Sequence, residues 1–177
     1  MQFQQPKIVS RKAWGAKEPP PTKPYFPQIP TSIIIHHFGF PASNPSYRSG
    51  KHFKGAKSIR KIQNKAIKKQ GLIDIEYHYV IAPDGIIYKG RPATAIGKHC
   101  GGKCNSNSIG IMCYGNYNIE KVPDEVKISL VYLLRSLVDS FSINPENIFG
   151  HRDKEFCSCP GINMYTFIQR IKERCQF

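Results

Sequence analysis

The chain is short of acid: 12 Asp and Glu stand against 26 Lys and Arg in 177 residues, a formal net charge of +14. That excess goes beyond what solubility asks for and implies a polyanionic partner, whether nucleic acid, an anionic bacterial envelope or an acidic membrane surface. Long apolar runs are also missing. The best of them, Ile33-Ile34-Ile35, ends at once in His36-His37, whereas a bilayer span needs about 20 consecutive apolar residues. The amino terminus, Met1 to Lys7, lacks the roughly 7–15 apolar residues of a Sec-type signal, so the sequence predicts neither a membrane span nor such a signal, and a chain that is soluble as written. No internal repeat or splitting linker is visible, and the 14 Gly and 14 Pro are scattered. The length suits one domain with a sizeable core and not two.

Six cysteines are present: Cys100, Cys104, Cys113, Cys157, Cys159 and Cys175. An even count suggests bridges, but that logic belongs to short secreted chains, and the spacing is not that of paired C-x-x-C zinc knuckles. Cys100 and Cys104 share a Gly-rich loop and can bridge under oxidising conditions, a point the sequence leaves open. Cys113, in an apolar run, reads as a small buried hydrophobe.

Residues 1–30 are Pro- and Lys-rich and read as an extended arm packed on the domain, without regular structure; the domain proper is expected over 31–177. Ser32-Ile33-Ile34-Ile35 suits a short buried strand that delivers His36 to its carboxyl end. From about Ser58 to Gln70, Ile59, Ile62, Ala66 and Ile67 fall at helical spacing among Lys57, Arg60, Lys61, Lys65, Lys68 and Lys69, and Gly71 closes this basic amphipathic helix. Tyr77–Ala82 and Ile86–Lys89 flank Pro83-Asp84-Gly85 and predict a hairpin, because Pro presets φ and Gly accepts the left-handed conformation. Ser108–Tyr114 reads as a further strand. Pro123, Asp124 and Glu125 open a helix whose Val126, Leu130, Leu133, Leu134, Leu137, Val138 and Phe141 form one apolar stripe. A last helix is expected to be capped by Asn163, with Met164, Phe167, Ile168 and Ile171 on one face. The expected fold class is α/β: a single domain with a mixed central sheet flanked by helices.

Three residues carry metal-ligand chemistry. His36 ends a buried strand, His151 follows Ile148-Phe149-Gly150, and Cys159 precedes Pro160-Gly161. Zinc accepts imidazole nitrogen and thiolate sulfur, and a catalytic site uses three protein ligands so that a fourth position stays open. Spacing alone leaves the zinc reading and a purely structural one level.

Ile8-Val9-Ser10-Arg11-Lys12-Ala13-Trp14-Gly15-Ala16 resembles the opening signature of peptidoglycan recognition proteins and the related zinc-dependent N-acetylmuramoyl-L-alanine amidases (type 2 amidases). The resemblance continues in order through Ile33-Ile34-Ile35-His36-His37, Ile62-Gln63-Asn64, Asp74-Ile75-Glu76-Tyr77-His78-Tyr79-Val80-Ile81, Asp84-Gly85 and Tyr88-Lys89-Gly90-Arg91. Ser108-Ile109-Gly110-Ile111, Gly115-Asn116-Tyr117, Gly150-His151-Arg152-Asp153 and Cys159-Pro160-Gly161 complete it, so that it spans about Ile8 to Arg174. It implies the fold of that family, Zn2+ held by His36, His151 and Cys159, and hydrolysis of the amide joining N-acetylmuramic acid to L-alanine in peptidoglycan. It also implies a catalytic Tyr77, whose hydroxyl serves the attacking water or the developing oxyanion.

One departure stands out. Where such amidases usually carry Thr or Lys two residues before the third ligand, this chain has Cys157, a weaker hydrogen-bond donor. Either Cys157 takes the catalytic role with reduced effect, or Lys154 replaces it, or the thiol joins the metal or another cysteine. His37, His78 and Asp153 are candidates to orient ligands. His37, His99, Arg91 and Asn105, with Asn107, are candidate groove residues for the muramyl peptide.

The competing readings are a recognition protein that holds muropeptide without cutting it, which the ligand Cys159 argues against, and a nucleic-acid binder, motivated by charge alone. No stacking platform or groove-reading helix accompanies the charge, so no specific nucleic acid is expected. The basic surface is expected to hold anionic cell-wall polymers and the chain to be a monomer. The expected place of action is the bacterial wall, reached from an extracellular or periplasmic position or by release from the cytoplasm as an endolysin.

Overall fold

The computed structural model describes residues 5–39 and 49–174. Six strands form one mixed sheet: β1 (Ile8–Val9), β2 (Ser32–His37), β3 (Tyr79–Ile81), β4 (Ile87–Lys89), β5 (Ser108–Cys113) and β6 (Ile148–Gly150), in the order β1-β4-β3-β5-β2-β6. Among the described strands only the β3–β4 pair is antiparallel. Its turn is the expected one, with Gly85 at φ 79° and its N–H on the Ala82 carbonyl at 2.9 Å. β2 and β5 are buried along almost their whole length, which explains why both read as continuous apolar runs: a parallel strand covered on both faces has no polar side.

Helices cover the two faces. α3 (Asp124–Phe141) and α4 (Ile162–Arg174) lie on one, where Val126, Leu130, Leu134, Met164 and Ile168 pack with Ile33, Ile35, Ile109 and Ile111. On the other, α2 (Ala56–Gln70) and α1 (Arg11–Trp14) bring Ile59, Ile62 and Trp14 against Val80, Tyr88 and Met112. Residue parity sorts the side chains, since successive residues of a strand point to opposite faces. The lysine-rich face of α2 is exposed, and among the described residues none of its cations enters an ion pair. No described helix is long and apolar enough to cross a membrane.

Two expectations need correction. The amino-terminal arm contains regular structure: Ile8 and Val9 pair parallel with Ile87 and Tyr88 at the sheet edge. The turn that follows seats Trp14, whose Nε1 donates to the Lys89 carbonyl at 2.7 Å. This segment is fixed by Asp74, fully buried, which accepts from Arg11 Nη1 at 2.7 Å, Gln63 Nε2 at 2.6 Å, its neighbour's Ile75 N–H at 2.7 Å, and the Tyr25 hydroxyl. Asn163 is not a cap: α4 begins at Ile162, and the Asn163 side chain donates to the Glu120 carbonyl at 2.8 Å, away from the helix's own N–H groups. Cys175 lies outside the described residues.

Candidate metal centre

Parallel pairing builds the site. β2 and β6 run side by side with Ile35 opposite Gly150, so the next residue of each chain segment, His36 and His151, must emerge together at the carboxyl ends. Their ring centroids are 4.4 Å apart. A short helical turn over His151–Asp153 then reverses the chain, and the Arg152 N–H donates to the Cys159 carbonyl at 2.8 Å, bringing Cys159 back to the same point. The donor atoms of His36, His151 and Cys159 all lie within 4.8 Å of one another.

This set fits zinc. A tetrahedral ion with nitrogen at about 2.05 Å and sulfur at about 2.3 Å separates those two atoms by about 3.6 Å, and Cys159 Sγ lies 3.7 Å from His36 Nδ1. Burial above all, then the neighbouring His99 and His151, keeps the His36 pKa well below its ordinary value, so the ring offers a neutral nitrogen, as a metal requires. The Cys159 thiol is pushed up to about 12, chiefly by burial, against a hydrogen bond from the His37 N–H at 3.4 Å. A cation beside the sulfur reverses that burial penalty.

The outer nitrogen of His36 is also occupied. His36 Nε2 lies 3.1 Å from Nδ1 of His99, and His99 Nε2 is 3.4 Å from Ser108 Oγ. His99, a candidate groove residue, is 6% exposed and buried against the sheet. It fits there because Gly97 and Gly110 have no side chain: a Cβ at either position would collide with its ring. His78, on the same side, donates from Nε2 to the Ala95 carbonyl at 2.7 Å and accepts the Gly110 N–H on Nδ1 at 2.8 Å, and burial holds its pKa near 4. Tyr77 is half-buried over this cluster, edge-on to His36 at 5.4 Å and stacked on His99 at 6.4 Å.

Other expected site residues are placed elsewhere. Strand alternation turns His37 to the opposite face from His36, where its Nδ1 accepts the Tyr117 N–H at 3.1 Å. Arg91 is 7% exposed and spends its guanidinium on the carbonyls of Ile75 at 2.6 Å and Ile96 at 3.1 Å, so it is not open to a groove. Asn105 is 4% exposed and bonded to the backbone of Cys100 on both its amide atoms. Asp153 holds the Gly150 N–H at 2.8 Å and the Tyr165 hydroxyl at 2.6 Å. Lys154 rests its ammonium on the Phe149 ring at 3.4 Å. Cys157 is exposed, with Sγ 3.9 Å from the Cys159 carbonyl oxygen, outside the donor set.

Cys100 and Cys104 form a disulfide across a Cα separation of 5.8 Å. One residue escaped sequence reasoning. Glu155 places Oε2 3.0 Å from His151 Nε2; its signal was a carboxylate four residues after a candidate ligand.

A family profile described as N-acetylmuramoyl-L-alanine amidase matches residues 26–162. The chain is 31% identical over 166 residues to peptidoglycan-recognition protein LB of Drosophila melanogaster, covering 92% of this chain and 67% of that protein. A Drosophila PGRP-LB mutant solved in complex with tracheal cytotoxin superposes with a TM-score of 0.76 at 30% identity, over 96% of this chain and 95% of that one. The N-acetylmuramoyl-L-alanine amidase endolysin LysCS of Clostridium intestinale gives a TM-score of 0.70 at 29% identity, over 95% and 97%. The chain thus belongs to the N-acetylmuramoyl-L-alanine amidase family, with the single-domain fold of peptidoglycan recognition proteins and type 2 amidases.

Proposed function

We propose that the chain hydrolyses the amide between N-acetylmuramic acid and L-alanine in peptidoglycan, as a zinc-dependent amidase. The observation that carries this reading is the convergence of His36, His151 and Cys159 within 4.8 Å, two imidazoles and one thiol, with no fourth donor in the group among the described residues. Zinc in such a set supplies Lewis acidity, polarising the scissile carbonyl and acidifying water. The chain's own residues do the rest. The Ser108 hydroxyl donates to the Cys104 carbonyl and so accepts from His99 Nε2, which leaves His99 Nδ1 to accept from His36 Nε2 and directs His36 Nδ1 inward. The Tyr77 hydroxyl donates to the oxygen that gains charge in the tetrahedral intermediate, a contribution worth about 3 kcal/mol for one well-placed donor. The basic surface, including α2, holds the anionic wall around the substrate.

A second reading, muropeptide recognition without cleavage, is favoured by one feature: Cys157 stands where a stronger donor is expected, and its thiol is exposed and outside the donor set. Incubation with peptidoglycan, with and without a chelator, separates the two. Hydrolysis releases free L-alanine amino termini, and the chelator stops it. No release by a protein that carries zinc and binds muropeptide establishes recognition alone.

A further inference from the structure

The carboxylate of Glu155 bridges two things that are far apart in sequence. Oε2 is 3.0 Å from His151 Nε2, and Oε1 accepts the N–H of Gly101. Gly101 lies inside the ring closed by Cys100–Cys104, and Asn105 clamps the same ring through the Cys100 N–H at 3.0 Å. A Cβ at position 101 would stand 2.5 Å from Glu155 Oε1, the free end of that side chain, so the carboxylate would have to shift to make room for it. With Nε2 of His151 donating to Glu155, Nδ1 is the nitrogen left with a lone pair. The Cys100 sulfur also lies within 4.8 Å of the donor atoms of His151 and Glu155, but in the disulfide it is no thiolate and cannot compete for a cation.

We propose that Glu155 is a positioning residue for His151 and that the Cys100–Cys104 loop holds it in place, so that metal affinity follows the oxidation state of that disulfide. This rests on the reading of His36, His151 and Cys159 as the metal centre. A dithiol gives two electrons and two protons to the Cys100–Cys104 bond and becomes a disulfide itself; the chain gains two thiols. Gly101 is then no longer confined to a closed ring, the hold on Glu155 loosens, and zinc affinity falls. Carboxylates behind a ligating imidazole typically govern metal affinity by 10–100-fold.

The test titrates the purified chain with zinc against a chromophoric chelator, before and after treatment with a dithiol. Glu155→Ala should weaken zinc binding about 10–100-fold, Glu155→Gln, which keeps one acceptor, should fall between, and Gly101→Ala should weaken it with every charge retained. In the paired Cys100→Ser, Cys104→Ser variant the affinity should no longer respond to dithiol. Imidazole 15N spectra of the metal-free chain read the hold directly: His151 should be a single Nε2–H tautomer, and a mixture in Glu155→Ala. A wild type that binds no zinc while His151 keeps that tautomer sinks the metal reading and with it the affinity claim, but leaves Glu155 as the group that orients the ring. Zinc affinity and tautomer both unchanged in Glu155→Ala overturn the positioning role itself.

Discussion

His36 divides its two ring nitrogens between two partners, with Nε2 3.1 Å from His99 Nδ1 and Nδ1 3.7 Å from Cys159 Sγ. One imidazole therefore joins a buried hydrogen-bonded support to the candidate ligand sulfur, and its tautomer is fixed by the support. Cys159→Ser removes the sulfur and leaves that support untouched. It should abolish zinc retention and peptidoglycan turnover while leaving the far-ultraviolet circular dichroism unchanged; turnover within twofold of wild type contradicts the ligand assignment.

Cys157 separates the two readings of function. Its side chain is exposed and lies outside the donor set, so Cys157→Ala should keep zinc. Cys157→Thr restores a hydroxyl donor and should raise kcat by up to about 10-fold, roughly 1.4 kcal/mol of transition-state stabilisation. Zinc lost from either variant would mean that the thiol is a ligand.

Acid should unfold the chain through its buried imidazoles. His78 has a folded pKa of about 4 against 6.5 for the free side chain, because burial penalises its charged form. Between those values the unfolded chain binds more protons, so stability is full above about pH 6.5, falls as pH drops toward 4, and changes no further from this group below that. The loss from His78 alone amounts to at most about 3 kcal/mol. Denaturant midpoints at pH 7 and pH 5 read it, and His78→Gln should flatten the difference.

Asp74 ties Arg11, Tyr25 and Gln63 into one buried cluster. Asp74→Ala leaves the Arg11 guanidinium short of its buried partner and should cost about 3 kcal/mol in urea unfolding. Glu18→Ala, which removes only the exposed partner of the same arginine, should cost less than about 1 kcal/mol.

Charge should act on wall binding and not on chemistry. The α2 lysines are exposed and carry no ion pairs among the described residues, so added salt should sharply weaken binding and lysis of intact walls. Cleavage of a small soluble muropeptide should change little. Equal salt sensitivity on both substrates would detach the excess charge from wall binding.

Much of the fold was legible because its signals are local. The β-branched run of β2, the Pro-Asp-Gly turn and the apolar stripe of α3 each announce themselves within a few residues. β1 was not, since two residues offer no periodicity and their place is set by β4, nearly 80 positions away. The donor trio was legible only as short motifs in order, because β2–β6 pairing, which no single segment encodes, brings His36 beside His151. The partners of Arg91 and Asn105 were hidden for the converse reason. A polar side chain at a loop looks available for substrate until tertiary structure supplies its partners, here the carbonyls of Ile75 and Ile96 and the backbone of Cys100. Glu155 faced the same barrier, as one of its partners, Gly101, is 54 positions away.

The close seat of His99 between Gly97 and Gly110 also sets an order on evolutionary change. A side chain added at 97 or 110 while the imidazole is present collides with it, whereas shrinking residue 99 first opens room for either. Descendants that abandon the His36 support are thus expected to lose the imidazole before the glycines, and chains that keep His99 are expected to keep both small neighbours.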